Sequence, residues 1–319
     1  MKIFVHITLL IFLFCSSIFA ETQDFSISGK NATAFWQKKV CPGDAVFVRI
    51  CADNSMQNLS GFLEVSKNKK QIGKTPFYEI PDSSGKNRKM LLAGIPLSSY
   101  LTAGSANAIA HVFVGEKENV VNLSLDVVSK EFVSETIPLN ATNTAIRTND
   151  SDERWKQINK LNKILGTRNE KSVYSLEPMA PPTKATRRTS FFADRRIFAY
   201  SNGKSSTSLH YGIDYGVPTG SEVRACAAGK VVLAETRITT GWSTVIEHLP
   251  GLYSLYYHQN ELKVKVGDTV EAGQLIGLSG ATGLATGPHL HWEMRLNMEA
   301  VSPDFFTGDF TFEKAVENQ

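Results

Sequence analysis

The chain lacks three features that would narrow its class at once: a long apolar run after its first twenty residues, a strong excess of one charge, and abundant cysteine. Without such an apolar run, no membrane-spanning helix is expected in the mature protein. The formal net charge is only +3, so composition indicates neither nucleic acid nor an anionic membrane surface as a partner. With 319 residues, the chain is long enough for two domains.

The first twenty residues have the pattern of a cleaved export signal. Lys2 supplies a positive start, residues 7–14 are apolar, and small residues then lead to Ala20. The apolar run is too short to anchor the chain across a bilayer. Residues 1–20 are therefore predicted to be a signal peptide, removed on export to the periplasm or cell envelope.

Cysteine is too scarce for a disulfide scaffold, with 4 in the chain. Cys15 lies inside the predicted signal, and the bulky Phe14 before it argues against lipidation, because lipoprotein signals have a small residue there. Cys41 and Cys51 could close a small loop in an oxidising compartment. Cys226 lies in a run that reads as a buried strand and is interpreted as an inert core thiol.

Residues 21–150 are predicted to form an N-terminal β-sandwich. Short apolar segments alternate with stretches rich in Gly, Asn and Ser, which are typical of turns; the segments are 45–50, 61–65, 108–114 and 120–127. In the last segment, apolar and polar residues alternate with period two, as in a half-buried strand. Successive short strands are typical of a sandwich. His111, the one histidine of this region, is interpreted as a core or edge residue.

A helix is predicted over residues 151–165, where apolar side chains recur at helical spacing. Ser151 is a suitable N-cap and Gly166 a suitable C-cap. The polar and basic residues that follow contain Pro181-Pro182, which is typical of an extended linker. The predicted limits are therefore 21–150 for the sandwich, 151–189 for the helix and linker, 190–306 for a second domain and 307–319 for a tail.

The second domain is again β-rich and is predicted to be an antiparallel sheet. Two of its parts look alike: residues 217–223 followed by Gly229-Lys-Val-Val, and residues 266–270 followed by Gly273-Gln-Leu-Ile-Gly. Each has a strand, a turn with glycine and another strand, which predicts two related hairpins. The fold class predicted for the whole chain is mainly β, with an N-terminal sandwich, a short helical linker and a C-terminal antiparallel sheet.

Histidine is concentrated in the second domain, which holds five of the chain's 7 histidines. His210 and Asp214 are four residues apart, and His289 and His291 would share one face of a strand. A catalytic zinc site needs three nitrogen or oxygen ligands and an open position, so His210, Asp214 and one of the paired histidines meet that count. His258 is a candidate for proton transfer beside the metal. The alternative from spacing alone is a set of surface histidines without a metal.

Five segments of the second domain carry a family resemblance. They are Thr189-Ser-Phe-Phe-Ala-Asp-Arg-Arg, His210-Tyr-Gly-Ile-Asp-Tyr-Gly-Val-Pro, Gly251-Leu-Tyr-Ser-Leu-Tyr-Tyr-His, Val264-Lys-Val-Gly-Asp-Thr-Val and Gly280-Ala-Thr-Gly-Leu-Ala-Thr-Gly-Pro-His-Leu-His-Trp. Together they resemble the M23 metallopeptidases, the lysostaphin and LytM type of cell-wall endopeptidase. The resemblance covers the whole second domain and implies one zinc ion per chain.

The resemblance implies a role for each candidate residue. His210 and Asp214 are similar to the family's first two zinc ligands, and His291 is similar to the third. His258 and His289 are similar to the catalytic pair that positions or deprotonates water and stabilises the tetrahedral intermediate. The expected activity is zinc-dependent hydrolysis of peptidoglycan stem or cross-bridge peptides. D,D-endopeptidase activity is favoured over cleavage of glycine bridges, because no wall-targeting domain follows residue 306.

Two other classes of function compete with this interpretation. A non-catalytic LytM-like module that binds the wall or activates an amidase would typically lack a metal ligand, whereas this chain keeps all three and both catalytic-type histidines. A structural adhesin would rely on the sandwich. It would not explain why three ligand-type residues and two catalytic-type histidines match the family together.

Three positions depart from the family pattern or match no role in it. Ala193 stands where relatives often have glycine, so the turn before Arg195 is expected to differ. Leu209 precedes the first ligand, where small or polar residues are common. His248 matches no catalytic position and is interpreted as a structural residue.

Overall fold

The computed structural model describes residues 20–308 and 310–312. The predicted signal peptide, apart from Ala20, lies outside the described residues, as do Cys15 and the tail after residue 312. Among the described residues, no helix is long and apolar enough to cross a membrane. The predicted fold class, mainly β with a sandwich before an antiparallel sheet, is confirmed.

The sandwich is built from the first ten strands, which are β1 (Ala20–Ile27), β2 (Lys30–Gln37), β3 (Lys39–Val40), β4 (Ala45–Asp53), β5 (Leu59–Lys67), β6 (Lys70–Pro76), β7 (Tyr78–Ile80), β8 (Arg88–Pro96), β9 (Gly104–Val114) and β10 (Lys117–Val127). One sheet has the order β1-β2-β4-β8-β7 and the other the order β3-β10-β9-β5-β6. The four segments predicted as strands lie within β4, β5, β9 and β10.

Alternating burial along β10 shows how a strand of the sandwich contributes one face to the core. Val121, Leu123 and Leu125 are buried, while the residues between them are exposed. Because successive strand residues point to opposite faces, all three enter the core between the sheets.

The segment between the two domains contains β11 (Ser134–Pro138), α1 (Ala141–Arg147) and α2 (Asp152–Leu165). The predicted helix is confirmed as α2: the Ser151 side chain caps it by accepting a hydrogen bond from the Arg154 N–H, and Gly166 ends it. Neither β11 nor α1 has a sequence signal strong enough for prediction, because both are short and polar. β11 precedes residue 150 but pairs in parallel with a strand at Arg195–Ala199 of the second domain.

The second domain contains β12 (Arg188–Ser190), β13 (Arg195–Ala199), β14 (Ser205–Leu209), β15 (Gly212–Tyr215), β16 (Glu222–Arg224), β17 (Gly229–Arg237), β18 (Gly241–Leu249), β19 (Leu252–Leu262), β20 (Thr269–Val270), β21 (Leu275–Ser279), β22 (Leu290–Leu296), β23 (Glu299–Val301) and α3 (Pro303–Thr307). Its large sheet follows the order β12-β15-β22-β19-β18-β17-β20. A small sheet has the order β11-β13-β14.

The two look-alike segments pair with each other rather than within themselves. β16 pairs with β21, and β17 pairs with β20. The prediction of two separate hairpins is therefore wrong. Local turn chemistry cannot distinguish a strand that folds back on its neighbour from one that pairs with a distant segment.

The two faces of the large sheet have different surroundings. Ile213, Trp292 and Tyr256 are partners on one face and belong to the large apolar core. Asp214, His291 and Tyr257 are partners on the opposite face. The helix α2 packs on part of that second face, where Leu165 and Tyr257 belong to one cluster. The sheet thus has one mainly apolar side and one side with a buried cluster of ionisable groups next to a helix.

An aromatic cluster joins the two domains. Phe47 of β4 lies within 6.2 Å, centroid to centroid, of four phenylalanine rings near the end of the chain, Phe305, Phe306, Phe310 and Phe312. Gly94 lies beneath the Phe47 ring, since a Cβ at that position would stand 2.4 Å from the ring. The sandwich is therefore packed directly on the second domain. Within the sandwich, Cys41 and Cys51 are buried and are not joined to each other.

Candidate metal centre and catalytic histidines

The three predicted ligands converge on adjacent strands of the large sheet. Asp214 on β15 and His291 on β22 are register partners, and His210 lies just before β15. Asp214 Oδ1 is 3.0 Å from His210 Nε2 and 2.9 Å from His291 Nδ1. The two imidazole nitrogens are 2.9 Å apart. Two nitrogens and one oxygen therefore face a common point.

Each ligand is held by a contact through its other polar atom. His210 Nδ1 is 2.8 Å from the Phe191 carbonyl oxygen, so it carries the proton and leaves Nε2 free of one. His291 Nε2 lies 3.3 Å from Glu293 Oε2. Asp214 Oδ2 accepts a hydrogen bond of 2.8 Å from Arg196 Nη2. Such contacts orient metal ligands and select the imidazole tautomer.

The ligands perturb one another's protonation. Burial tends to raise the pKa of Asp214, but His210 and His291 outweigh it and hold that pKa well below its usual range. Burial lowers the pKa of His210, even though Asp214 acts in the opposite direction. For His291, burial is outweighed by hydrogen bonds to Asp214 and Glu293, which raise its pKa to about 9. The carboxylate is thus ionised, whereas His291 holds a proton that a bound metal ion would have to displace.

The donor set fits zinc. Two imidazole nitrogens and one carboxylate oxygen are ligands that zinc accepts, and three protein ligands leave a position open for chemistry. The three side chains are more than nine-tenths buried, and their donor atoms lie within 4.8 Å of one another. A buried cluster of this kind is costly without a cation to compensate its lone pairs and charge.

His258 and His289 lie beside this cluster and face each other. Their ring centroids are 4.6 Å apart. His289 Nε2 is 3.8 Å from Asp214 Oδ1. His258 Nδ1 is 2.7 Å from the Thr282 carbonyl oxygen, and His289 Nδ1 is 2.9 Å from that of Gly287. Because a carbonyl only accepts, both rings carry their proton on Nδ1 and keep a lone pair on Nε2.

The environment keeps His258 neutral. Burial lowers its pKa to about 3, with a further contribution from His289 and His291. His258 also adopts a left-handed backbone conformation, with φ of 59°. An energetically costly conformation at a buried position is typical of a functional site, where surrounding contacts hold the residue in place.

The structure adds three residues that the sequence analysis did not single out. The Tyr257 ring stacks on His291 at a centroid distance of 5.3 Å, and Glu293 and Arg196 hold ligands as described above. Glu293 has a signal in the sequence, because it follows His291 by two positions on the same strand face. Arg196 ends one of the segments that carry the family resemblance, but its contact with Asp214 has no local signal, because Arg196 lies in a different sheet.

The departure at Ala193 has a structural consequence. Ala193 is buried and has a φ of 63°, in the region that favours glycine. Its N–H donates to the His210 carbonyl oxygen at 2.7 Å. The left-handed turn before Arg195 is therefore formed here by an alanine, at a steric cost that glycine would avoid.

His111, His248 and Cys226, all among the described residues, lie apart from this cluster. His111 on β9 is 2.7 Å from Glu118 in the sandwich. His248 is fully buried between the Ala228 carbonyl oxygen and the Ser254 hydroxyl. Cys226 lies 3.6 Å from His248, and burial raises the pKa of its thiol to about 11, which keeps it protonated. An inert core thiol is consistent with this environment.

The three converging side chains and the two histidines beside them form an arrangement suited to metal-assisted hydrolysis. The profile described as Peptidase family M23 matches residues 208–303. The likeness to this family therefore covers most of the second domain and not the chain as a whole. Arg196 lies before the matched residues.

Curated relatives match the same part of the chain. It is 41% identical over 95 residues to DD-carboxypeptidase/endopeptidase Mpg of Neisseria meningitidis serogroup B, which covers 30% of this chain and 22% of the relative. It is 41% identical over 98 residues to lysostaphin of Staphylococcus simulans, which covers 28% of this chain and 18% of the relative. The chain thus spans about a fifth of the length of these relatives.

One solved structure is similar over most of the chain. A crystal structure described as a peptidase M23 from Pseudomonas aeruginosa aligns with a TM-score of 0.54 and 21% identity, covering 85% of this chain and 95% of the other. At this level of identity the comparison supports the fold. It extends the likeness beyond the peptidase domain to the sandwich that precedes it.

Proposed function

We propose that this chain is an exported zinc-dependent endopeptidase that hydrolyses peptide cross-links of peptidoglycan, and that it cleaves D,D bonds. The observation that carries the proposal is the convergence of His210, Asp214 and His291, with His258 and His289 beside them. The relative whose name includes DD-carboxypeptidase/endopeptidase supports the choice of bond.

The metal ligands would be His210 Nε2, Asp214 Oδ1 and His291 Nδ1, since these are the atoms that face one another. When bound, zinc supplies Lewis-acid chemistry, which polarises a carbonyl and lowers the pKa of water. The protein supplies the orientation. Arg196 occupies the second oxygen of Asp214, so only Oδ1 remains for the metal.

His258 and His289 are proposed to handle the attacking water. Each has an Nε2 lone pair, because each Nδ1–H donates to a backbone carbonyl. Two Nε2 acceptors at one side of the cluster would hold the protons of a water molecule and leave an oxygen lone pair directed at the substrate carbonyl. One of them then accepts a proton as the bond forms, and returns it to the leaving amine. The carbonyl oxygens of Thr282 and Gly287 prevent either ring from changing its tautomer without losing a hydrogen bond.

Export to the periplasm or cell envelope is proposed from the first twenty residues. A positive start, a short apolar run and small residues before Glu21 support cleavage after Ala20. Substrate location supports it too, because peptidoglycan lies outside the cytoplasmic membrane. Amino-terminal sequencing of the protein recovered from the cell envelope should begin at Glu21, and an intact Met1 would contradict the proposal.

The decisive experiment measures metal content and digestion of purified peptidoglycan for the parent and for His291→Ala. We expect one zinc per parent chain and released muropeptides whose masses identify a D,D bond. The variant should lose both, because a ligand is missing. His111→Ala is the matched control, since it removes an imidazole from the sandwich and should change neither result.

Different failures have different meanings. Zinc without cleavage of either directly cross-linked or glycine-bridged wall would support the non-catalytic wall-binding or amidase-activating module instead. Cleavage confined to glycine-bridged wall would retain the endopeptidase and overturn the D,D bond. A parent that binds no zinc would overturn the proposed function.

A further inference from the structure

Arg196 is placed to control which oxygen of Asp214 faces the metal. Its Nη2 lies 2.8 Å from Asp214 Oδ2, and the side chains are 14% and 9% exposed. Asp214 Oδ1, by contrast, faces His210 and His291. When a hydrogen bond holds one oxygen of a carboxylate, the other oxygen keeps a single orientation. Without that hydrogen bond, the carboxylate rotates about its terminal bond.

Arg196 is held in turn by a residue from before the peptidase domain. Glu135 lies on β11, directly opposite Arg196 in the parallel pairing with β13. Its Oε1 accepts a hydrogen bond of 2.9 Å from Arg196 Nε. Ser190 Oγ lies 3.2 Å from the same oxygen. The two carboxylates therefore engage two different nitrogens of one guanidinium group.

This arrangement uses the geometry of arginine. The planar guanidinium has donors on several edges, so it binds two carboxylates at once, which the single ammonium group of lysine does with less directional control. A long arginine side chain has many rotamers, and a contact at Nε removes several of them. Glu135 therefore limits the freedom of the group that pins Asp214.

We propose that Glu135 is a positioning residue for the metal ligand Asp214, acting through Arg196. The inference rests on the proposed zinc site. β11, which lies well before the family match at 208–303, would thus supply part of the metal centre. The segment upstream of the matched domain then contributes to metal affinity as well as to packing.

The test measures the zinc dissociation constant of the mature chain by competition with a chromophoric chelator. Glu135→Ala should raise that constant about tenfold, the lower end of the range for contacts that orient metal ligands. Glu135→Gln keeps an acceptor oxygen for Arg196 Nε and should recover much of the affinity. Glu131→Ala is the matched control: this exposed glutamate lies on the same segment, and its loss should leave the constant within about twofold.

A double-mutant cycle shows whether the effect passes through Arg196. In an Arg196→Met background, Glu135→Ala should no longer change the dissociation constant, because the group it positions is absent. An equal increase in both backgrounds would overturn the proposal and point to a charge effect on the metal. An unchanged constant with Arg196 present would overturn it as well.

Two further measurements distinguish a failure of this inference from a failure of the proposed zinc site. Thermal unfolding of the zinc-free proteins should show each variant folded. If Glu135→Ala unfolds, Glu135→Met replaces it, because methionine keeps the length of the side chain without an acceptor for Arg196 Nε. If the parent itself binds no zinc, the proposed function has failed and the inference falls with it. If the parent binds zinc and the cycle shows no coupling, only the inference fails.

Discussion

In the sandwich, the faces between the two sheets are apolar, with residues such as Val48, Leu63 and Leu123 fully buried. In the large sheet of the second domain, one face is mainly apolar, with His248 and Ser254 hydrogen-bonded to each other within it. The other face buries Asp214 and His291 beside a helix. Apolar burial stabilises a fold without any chemistry, whereas buried ionisable groups are costly unless they are paired or bind a cation. The contrast therefore locates the site more sharply than burial alone.

The same contrast holds for strained backbone. In the sandwich, the non-glycine residues with positive φ, Ser28, Asn58, Asn68, Lys69 and Asn87, are all exposed. In the second domain, two such residues are buried, Ala193 and His258, and both lie at the metal centre. Turns on the surface tolerate this conformation at small cost, while a buried instance must be held by its surroundings.

The strongest test of the comparison removes the histidines next to the ligands. His289→Ala or His258→Ala should leave zinc bound but slow peptidoglycan cleavage by about 10²–10⁴-fold, because proton transfer is lost while the three ligands remain. Metal analysis and initial cleavage rates measure both effects. His111→Ala in the sandwich should have the parent rate. Full activity in either site variant would refute the role proposed for that residue.

The aromatic cluster tests whether the two domains are energetically separate. Phe47→Ala removes a buried ring from contact with four others and should cost about 3–5 kcal/mol in free energy of unfolding. Phe113→Ala, a half-buried ring inside the sandwich, should cost less. Urea unfolding followed by tryptophan fluorescence gives both values. A loss below 1 kcal/mol at Phe47 would show that the interface contributes little.

His248, the buried histidine outside the site, should make the free energy of unfolding depend on pH. Burial lowers the pKa of His248 to about 4. Between that pH and the ordinary value near 6.5, the unfolded chain binds more protons than the folded one, so stability rises with pH and is lost as pH falls through this window. The lowered pKa corresponds to about 3 kcal/mol across the window.

The variant His248→Gln should therefore have a flatter dependence of unfolding free energy on pH than the parent. Urea midpoints between about pH 4.5 and 7 measure the two slopes. Parallel slopes would show that His248 does not contribute. The comparison isolates one residue, because the other titrating groups are common to both proteins.

The smallest expected effect concerns the strained turn at the site. Ala193→Gly should raise the free energy of unfolding by about 1 kcal/mol, since glycine adopts a φ of 63° without the steric cost of a Cβ. Ala225→Gly, at another buried position but with ordinary φ, should lower it by about 0.5–1 kcal/mol. Chemical denaturation measures both. A loss at Ala193 would show that the packing of its methyl group outweighs the strain.

Much of the candidate site could be predicted because its signals are local. His210 with Asp214, and His289 with His291, each lie within one short stretch of chain, and the helix at 151–165 has its caps next to its ends. Pairing between distant segments has no such signal. This is why β11 and the exchange of partners between β16, β17, β20 and β21 were accessible only in the structure.

The sequence by itself determined the mainly β class, the helix between the domains and the set of residues able to bind a metal, because periodicity, caps and ligand chemistry are written into neighbouring residues. The tertiary structure decided which oxygen of Asp214 faces His210 and His291, and which groups hold Asp214 in that orientation. Arg196 and Glu135 reach Asp214 through the pairing of β11 with β13, and strand pairing over long distances depends on the packing of the whole chain.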